Sequence, residues 1–187
     1  MSHIYAFSFL LIFVSVSLIS QTKYRTKTGR VTFEASVMSF EQVKANNNNT
    51  AAIIDTENGN FAVAMQVTDF HFKNSLMEEH FNENYAESDI YPKATFKGHI
   101  SQFDLNVISG EKARPFYVNG YLSFHGKTKY FEDIPFNILK QNDNAITISG
   151  SFYMNASDFE IKIPKIVRKK VSKDVNVSFD FELLVVN

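Results

Sequence analysis

No cysteine occurs in this chain of 187 residues, which excludes disulfide cross-links, thiolate catalysis, Cys-ligated zinc and a lipid-modified cysteine anchor. Backbone pairing and side-chain packing alone must hold the fold. An excess of one charge is also lacking: 19 Lys and Arg against 20 Asp and Glu leave a formal net charge of −1. A nucleic-acid partner needs a basic face to neutralise phosphates, so nucleic acid is not expected and any charge effect is local. Catalytic signatures are missing too, with no G-x-S-x-G nucleophile elbow and nothing resembling a nucleotide cradle. Beyond the N-terminus, His71, His80, His99 and His125 show no mutual spacing suited to a metal. Glu78, Glu79 and His80 are adjacent, whereas two ligands on one helical face stand three or four positions apart. The carboxylates Glu78, Glu79, Glu83, Glu87 and Asp89 read as a solvated helical face, whereas a general acid must be buried to raise its pKa. An enzyme, a metal site and a cofactor are therefore not expected, and His71 and His125 are the histidines to follow.

The one long apolar run covers residues 4–19, is interrupted by serines and gives way at once to polar residues. That is the form of a secretory signal, with cleavage after Ser20. At roughly 16 residues it falls short of the ~20 needed to span a bilayer, the alternative being an uncleaved anchor. Residues 1–20 are assigned as a signal peptide and residues 21–187 as one domain. The expected location is secreted, periplasmic if the source is Gram-negative.

The rest of the chain is a series of short runs with period-two apolar alternation, separated by polar turns, which is the sequence form of an all-β barrel or sandwich. Val31 and Phe33 begin it. Phe61, Val63, Met65 and Val67 continue, and Phe70 and Phe72 resume one residue out of phase, which predicts a bulge near Thr68 and Asp69. Phe96, Gly98 and Ile100 share a face, followed by Phe103, Leu105 and Val107. Phe116, Val118, Gly120, Leu122 and Phe124 give the clearest central strand. Ile134, Phe136 and Ile138 lead through a polar turn at residues 141–144 into Ile146, Ile148 and Phe152, a hairpin. Phe159, Ile161 and Ile163 read as a further strand, and the alternation from Val175 to Val185 is unbroken. The asparagine run at residues 46–49 reads as a loop tip.

One stretch breaks the strand pattern. Ser75 followed three residues later by Glu78 is a capping box, predicting a short helix over residues 75–81 with Leu76, Met77, His80 and Phe81 on one face. Tyr91 before Pro92 predicts extended chain and a new strand over residues 94–100. FHFKNSLMEEHFNENY, YPKATFKGHI, VNGYLSFHGKTK and DFEIKIPKIVRKKVSKDVNVSFDFEL, in that order, resemble the YceI-like family of extracytoplasmic lipid-binding proteins, and the resemblance covers nearly all of residues 21–187.

That resemblance implies a closed, antiparallel, lipocalin-like β-barrel of about eight strands, a choice over the sandwich that alternation alone does not make. It also implies that the barrel binds or transports a long apolar lipid of the polyisoprenoid or isoprenoid-quinone type. With 19 Phe, 8 Tyr and no Trp, the expected tunnel wall is Phe96, Ile100, Val118, Leu122, Phe124, Phe136, Phe152, Met154, Phe159, Ile161, Val177, Phe179 and Phe181. The alternative is a self-filled barrel acting as a structural or protein-interaction module. Leu76, Met77 and Phe81 are candidates to cover one barrel end, or else belong to a plain connector. The basic segment carrying Lys165, Arg168, Lys169 and Lys170 would hold an anionic lipid head or touch an anionic membrane, or else is a connection kept soluble by charge.

Overall fold

Alternation becomes pairing along most of the computed structural model, which describes residues 22–37, 40–108 and 112–186; the expected signal at residues 1–20 lies outside them. The strands are β1 (Lys23–Ser36), β2 (Lys44–Asp55), β3 (Asn60–Gln66), β4 (His71–Phe72), β5 (Lys93–Ile100), β6 (Arg114–Phe124), β7 (Lys127–Asn142), β8 (Ala145–Asn155) and β9 (Val171–Val186). All pairings are antiparallel. The order β1-β9-β8-β7-β6-β5-β3-β2 closes on itself through β1 and β2, giving an eight-stranded barrel, with the two-residue β4 attached to β2. Closure removes the free edges that would otherwise recruit other strands.

Several local readings change. The asparagine run is not a loop tip but part of β2: Asn46 and Asn47 pair with Thr32 and Val31 of β1, and the side-chain amides add further bonds. Asn47 is fully buried; its Nδ2 donates to the Gln66 carbonyl at 2.9 Å and its Oδ1 accepts from the Asn49 amide at 2.9 Å. Asn46 and Asn48 accept from Thr32 and Arg30 of β1. The phase change after β3 is made by a 3₁₀ turn at Val67–Asp69, not a bulge, and the turn redirects the chain to pair with β2. Segments 103–107 and 159–163 are not strands. Asp104 and Asn155 each accept from the amide two residues on and start 3₁₀ turns at Leu105–Val107 and Ala156–Phe159, the local turn chemistry of Asx residues. The helix α1 runs Ser75–His80 and widens into a π-type turn at Phe81–Tyr85. Its cap is Asn74, which accepts from the Leu76 amide, while Glu78 accepts from the Phe72 amide at 3.0 Å; the cap therefore sits one residue before Ser75.

Inward residues divide the barrel into two halves. At one end Ile54, Ile100, Ile138, Ile146, Ile148 and Leu183 are at most 1% exposed and fill the interior. Rings of Phe61, Phe96 and Phe181 cross the middle, with Phe61 centred 6.3 Å from each of the other two. Glycines make room for them. A Cβ on Gly98 or Gly120 would come within 2.6 Å of the Phe96 ring, and one on Gly29 would collide with Phe181.

The filled end is fastened by Tyr24, 2% exposed, whose hydroxyl donates to the Asp143 carbonyl at 2.7 Å beside the Lys140–Asp143 ion pair. Burial raises the Tyr24 pKa above its ordinary value, against the pull of Lys140. An unfolded chain then releases this proton first as pH climbs through about 10, so the contribution is complete below that pH and declines as pH rises toward the folded value. Tyr24→Phe is expected to cost about 1 kcal/mol near neutral pH, with the gap from wild type narrowing above about pH 10. Urea unfolding of both proteins at the two pH values checks this.

Candidate functional site

The other half of the barrel is hollow. Above the Phe61, Phe96 and Phe181 rings lies a cavity of about 420 Å³ with an almost wholly apolar wall that reaches the barrel mouth. Most of the wall is made of inward members of alternating strands, among them Val31, Phe33 and Ala35 from β1, Val63 and Met65 from β3, Ala94 from β5, Leu122 and Phe124 from β6, Phe152 and Met154 from β8, and Val175, Val177 and Phe179 from β9. The cavity lies within the size range of pockets that enclose small apolar ligands, roughly 300–1,000 Å³.

Of the residues expected to form the tunnel, Phe96, Val118, Leu122, Phe124, Phe152, Met154, Ile161, Val177, Phe179 and Phe181 stand on this wall. Three are placed elsewhere. Ile100 belongs to the filled half, 1% exposed. Phe136 is 3% exposed and packs against Phe116 at 6.0 Å. Phe159 is fully buried behind the wall, edge-on to Phe124 at 5.9 Å. Strand direction explains the difference: alternation tells which face a residue occupies but not how far along the lumen it lies.

The first half of the chain contributes wall beyond the expected tunnel residues, of which sequence reasoning singles out Met77 and Phe81 alone, as a barrel-end cover. Phe33, Phe70, Phe72 and Phe81 form a ring cluster with centroids 5.1–6.0 Å apart, joining β1, β4 and the end of α1 at the mouth. Met77 and Phe81, four apart, share the cavity-facing side of the helix, while the same geometry turns Leu76 outward, 55% exposed. The alternating Val31, Phe33 and Phe61, Val63, Met65 were the available signal. Polar groups collect only near the rim: Glu41, His80, Tyr85, Lys170 and Ser172 border the cavity. Of the basic segment, Lys170 reaches it; Lys165, Arg168 and Lys169 are exposed beside it, and Arg168 Nε donates to the Ile163 carbonyl at 3.1 Å.

Both histidines singled out from the sequence make side-chain contacts. His71 Nδ1 lies 3.3 Å from Glu78 on the exposed side of α1. His125 is different: its side chain is 11% exposed, Nε2 lies 2.6 Å from Glu87 Oε2, and Nδ1 lies 2.7 Å from the Phe159 carbonyl. Both partners present oxygen atoms, so the ring is held between two segments from either side. The residue sits in the two-residue β6–β7 turn with φ 48°, followed by Gly126 at φ 69°, the conformation that matches the twist of a hairpin. Tyr91 closes the pocket, its ring edge-on to His125 at 4.8 Å. His125 thus ties the segment after α1 to the segment that leads into the basic loop. Among the described residues no group of three or more His, Asp or Glu is placed to hold a metal.

Comparison with known proteins agrees with this architecture. The family model for the YceI-like domain matches residues 23–183. A polyisoprenoid-binding domain from Saccharophagus degradans, implicated in plant cell wall breakdown, superposes with a TM-score of 0.75 at 15% identity, over 89% of this chain and 99% of that one. BcnA of Burkholderia cenocepacia gives a TM-score of 0.65 at 17% identity, over 84% and 96% of the two chains. The YceI protein of Campylobacter jejuni gives 0.61 at 18% identity, over 78% and 86%. No curated protein sequence matches the chain.

The His125 contacts generate an expectation of their own. His125→Asn keeps a residue type that tolerates positive φ but is too short to reach both Glu87 and the Phe159 carbonyl. It is expected to lose about 1–3 kcal/mol and to speed amide hydrogen exchange over residues 85–91 and 156–163, with the strands of the filled half unchanged. Hydrogen-exchange mass spectrometry reads both effects.

Proposed function

This chain belongs to the YceI-like domain family, and from that premise and the shape of its lumen we propose that it binds and carries a long apolar lipid of the polyisoprenoid type outside the cytoplasm, without catalysis. The observation that carries the reading is an apolar cavity of about 420 Å³, closed at its inner end and open at the mouth. A blind apolar tube suits a chain entering tail first with its polar end at the rim. Each buried CH₂ is worth roughly 0.8 kcal/mol, so a five-carbon isoprene unit offers on the order of 3–4 kcal/mol before ordering costs. The term is non-directional, so the wall reads length and width rather than chemical identity. Support for an isoprenoid comes from the Saccharophagus degradans domain, which is polyisoprenoid-binding and shares the fold.

At the rim, Lys170, with Lys165, Arg168 and Lys169 nearby, supplies positive charge for an anionic head or an anionic membrane surface, each such residue contributing about 1 kcal/mol near that surface. A quinone head is the neutral counterpart. The rival reading, a self-filled interaction module, draws support from the packed half of the barrel, and the open half weighs against it.

The absence of tryptophan supplies a direct test. In Phe152→Trp the indole is the sole tryptophan and stands on the cavity wall. Adding a polyprenyl alcohol is expected to shift and saturate its fluorescence at one ligand per chain. Leu122→Glu, introduced into the Phe152→Trp protein so that the same indole reports, places a carboxylate in the apolar wall and is expected to weaken binding at least about tenfold. No spectral response from folded protein, and no difference between the two variants, would overturn the proposal.

A further inference from the structure

The ring layer at mid-barrel does more than separate two halves. On β9 the cavity lining begins at the rim with Val171 and Ser172 and continues inward from Val175 to Phe181, the inner part being a strand length of roughly 20 Å at ~3.3 Å per residue. A strand tilt of about 40° leaves about 15 Å along the barrel axis. A saturated or isoprenoid chain advances roughly 1.25 Å per carbon–carbon bond, so about 15 Å holds about three isoprene units. Volume gives the same answer. At roughly 30 Å³ per water-sized group, a cavity of about 420 Å³ takes about fourteen carbon-sized groups, again close to three units.

The stop itself is rigid. Phe61 and Phe181 are 5% and 1% exposed, and Phe179 stacks on Phe181 at 5.5 Å. Phe96 is pressed against the two inward glycines Gly98 and Gly120, and Phe181 against Gly29, so neither ring can retreat into the wall. Behind them the isoleucines of the filled half leave no continuation of the lumen.

We propose that Phe61, Phe96 and Phe181 form a chain-length stop that limits the enclosed part of the cargo to about three isoprene units, any further units remaining at or beyond the mouth with the head group. The inference rests on the lipid-binding reading and adds a specific determinant to it. Removing the Phe96 ring opens room for roughly one five-carbon unit, whereas Val63→Phe adds a ring just above the stop and shortens the tube.

The test is a competition series with geraniol, farnesol, geranylgeraniol and a long polyprenyl alcohol, each in one fixed cyclodextrin carrier. Wild type, Phe96→Ala and Val63→Phe are compared. For each ligand the variant-to-wild-type ratio cancels the ligand's own transfer from the carrier. In wild type, affinity is expected to climb to farnesol and change little beyond it. Phe96→Ala is expected to bind geranylgeraniol at least about tenfold tighter relative to wild type, with no such gain for geraniol. Val63→Phe is expected to lose more affinity for farnesol than for geraniol, and it keeps the inference falsifiable should Phe96→Ala not fold. Variant ratios independent of chain length, with wild-type affinity rising at every added unit to the longest chain, would overturn the stop while leaving lipid binding intact. Failure of every isoprenoid to bind folded wild-type protein would overturn both.

Discussion

Phenylalanine rings packed closely against inward-facing glycines are the packing on which this barrel turns. An eight-stranded barrel encloses a lumen too narrow for large side chains from every strand at one level, yet too wide for small ones to fill. Here the level is resolved by pairing extremes: Phe96 covers Gly98 and Gly120, Phe181 covers Gly29, and Phe179 lies against Gly150, where a Cβ would come within 2.7 Å of the ring. Rings that bridge the lumen set a floor. Below it, branched aliphatic side chains pack to closure; above it, strands that contribute Ala, Val, Leu and Met leave space. A molecule without disulfides obtains a rigid interior on one side and a receptive one on the other from a single layer of aromatics.

The strands were legible in the sequence because period-two alternation is a property of single strands, and each unbroken run, such as β6 and β9, was found where its pattern lay; closure into a barrel rather than a sandwich was implied only by the family resemblance. What escaped was set by partners distant in sequence. Asn47 looks like loop composition, and its pairing with Val31 of β1 and its side-chain bond to the Gln66 carbonyl make it part of a strand. Alternation at Phe159, Ile161 and Ile163 is real, but no neighbouring strand accepts it, and Asn155 turns the chain first. Depth along the lumen is likewise a matter of register across the whole sheet. Ile100 and Phe96 share a face four residues apart, yet one is floor packing and the other cavity wall.

At the mouth, different physics takes over. The Phe33, Phe70, Phe72 and Phe81 cluster holds α1 against the rim, and His125 links the segments on either side of the opening through Glu87 and the Phe159 carbonyl. Lys127–Glu160 at 2.8 Å and the Lys129–Asp158 pair strengthen the same seam. Surface ion pairs contribute little individually, so the shape of the entrance rests chiefly on the aromatic cluster and the partly buried His125 ring. An apolar interior that reads length, and a polar, partly basic rim that reads the exposed end, divide recognition between two regions of one lumen.

The central claim is that the hollow half exists to hold an apolar chain. Native mass spectrometry of the protein purified from its own source, followed by organic extraction and identification of any released molecule, tests it most directly. The account predicts one isoprenoid or similar long-chain lipid per chain. Protein that is ligand-free from its source and that also rejects added polyprenyl lipids while remaining folded would contradict it.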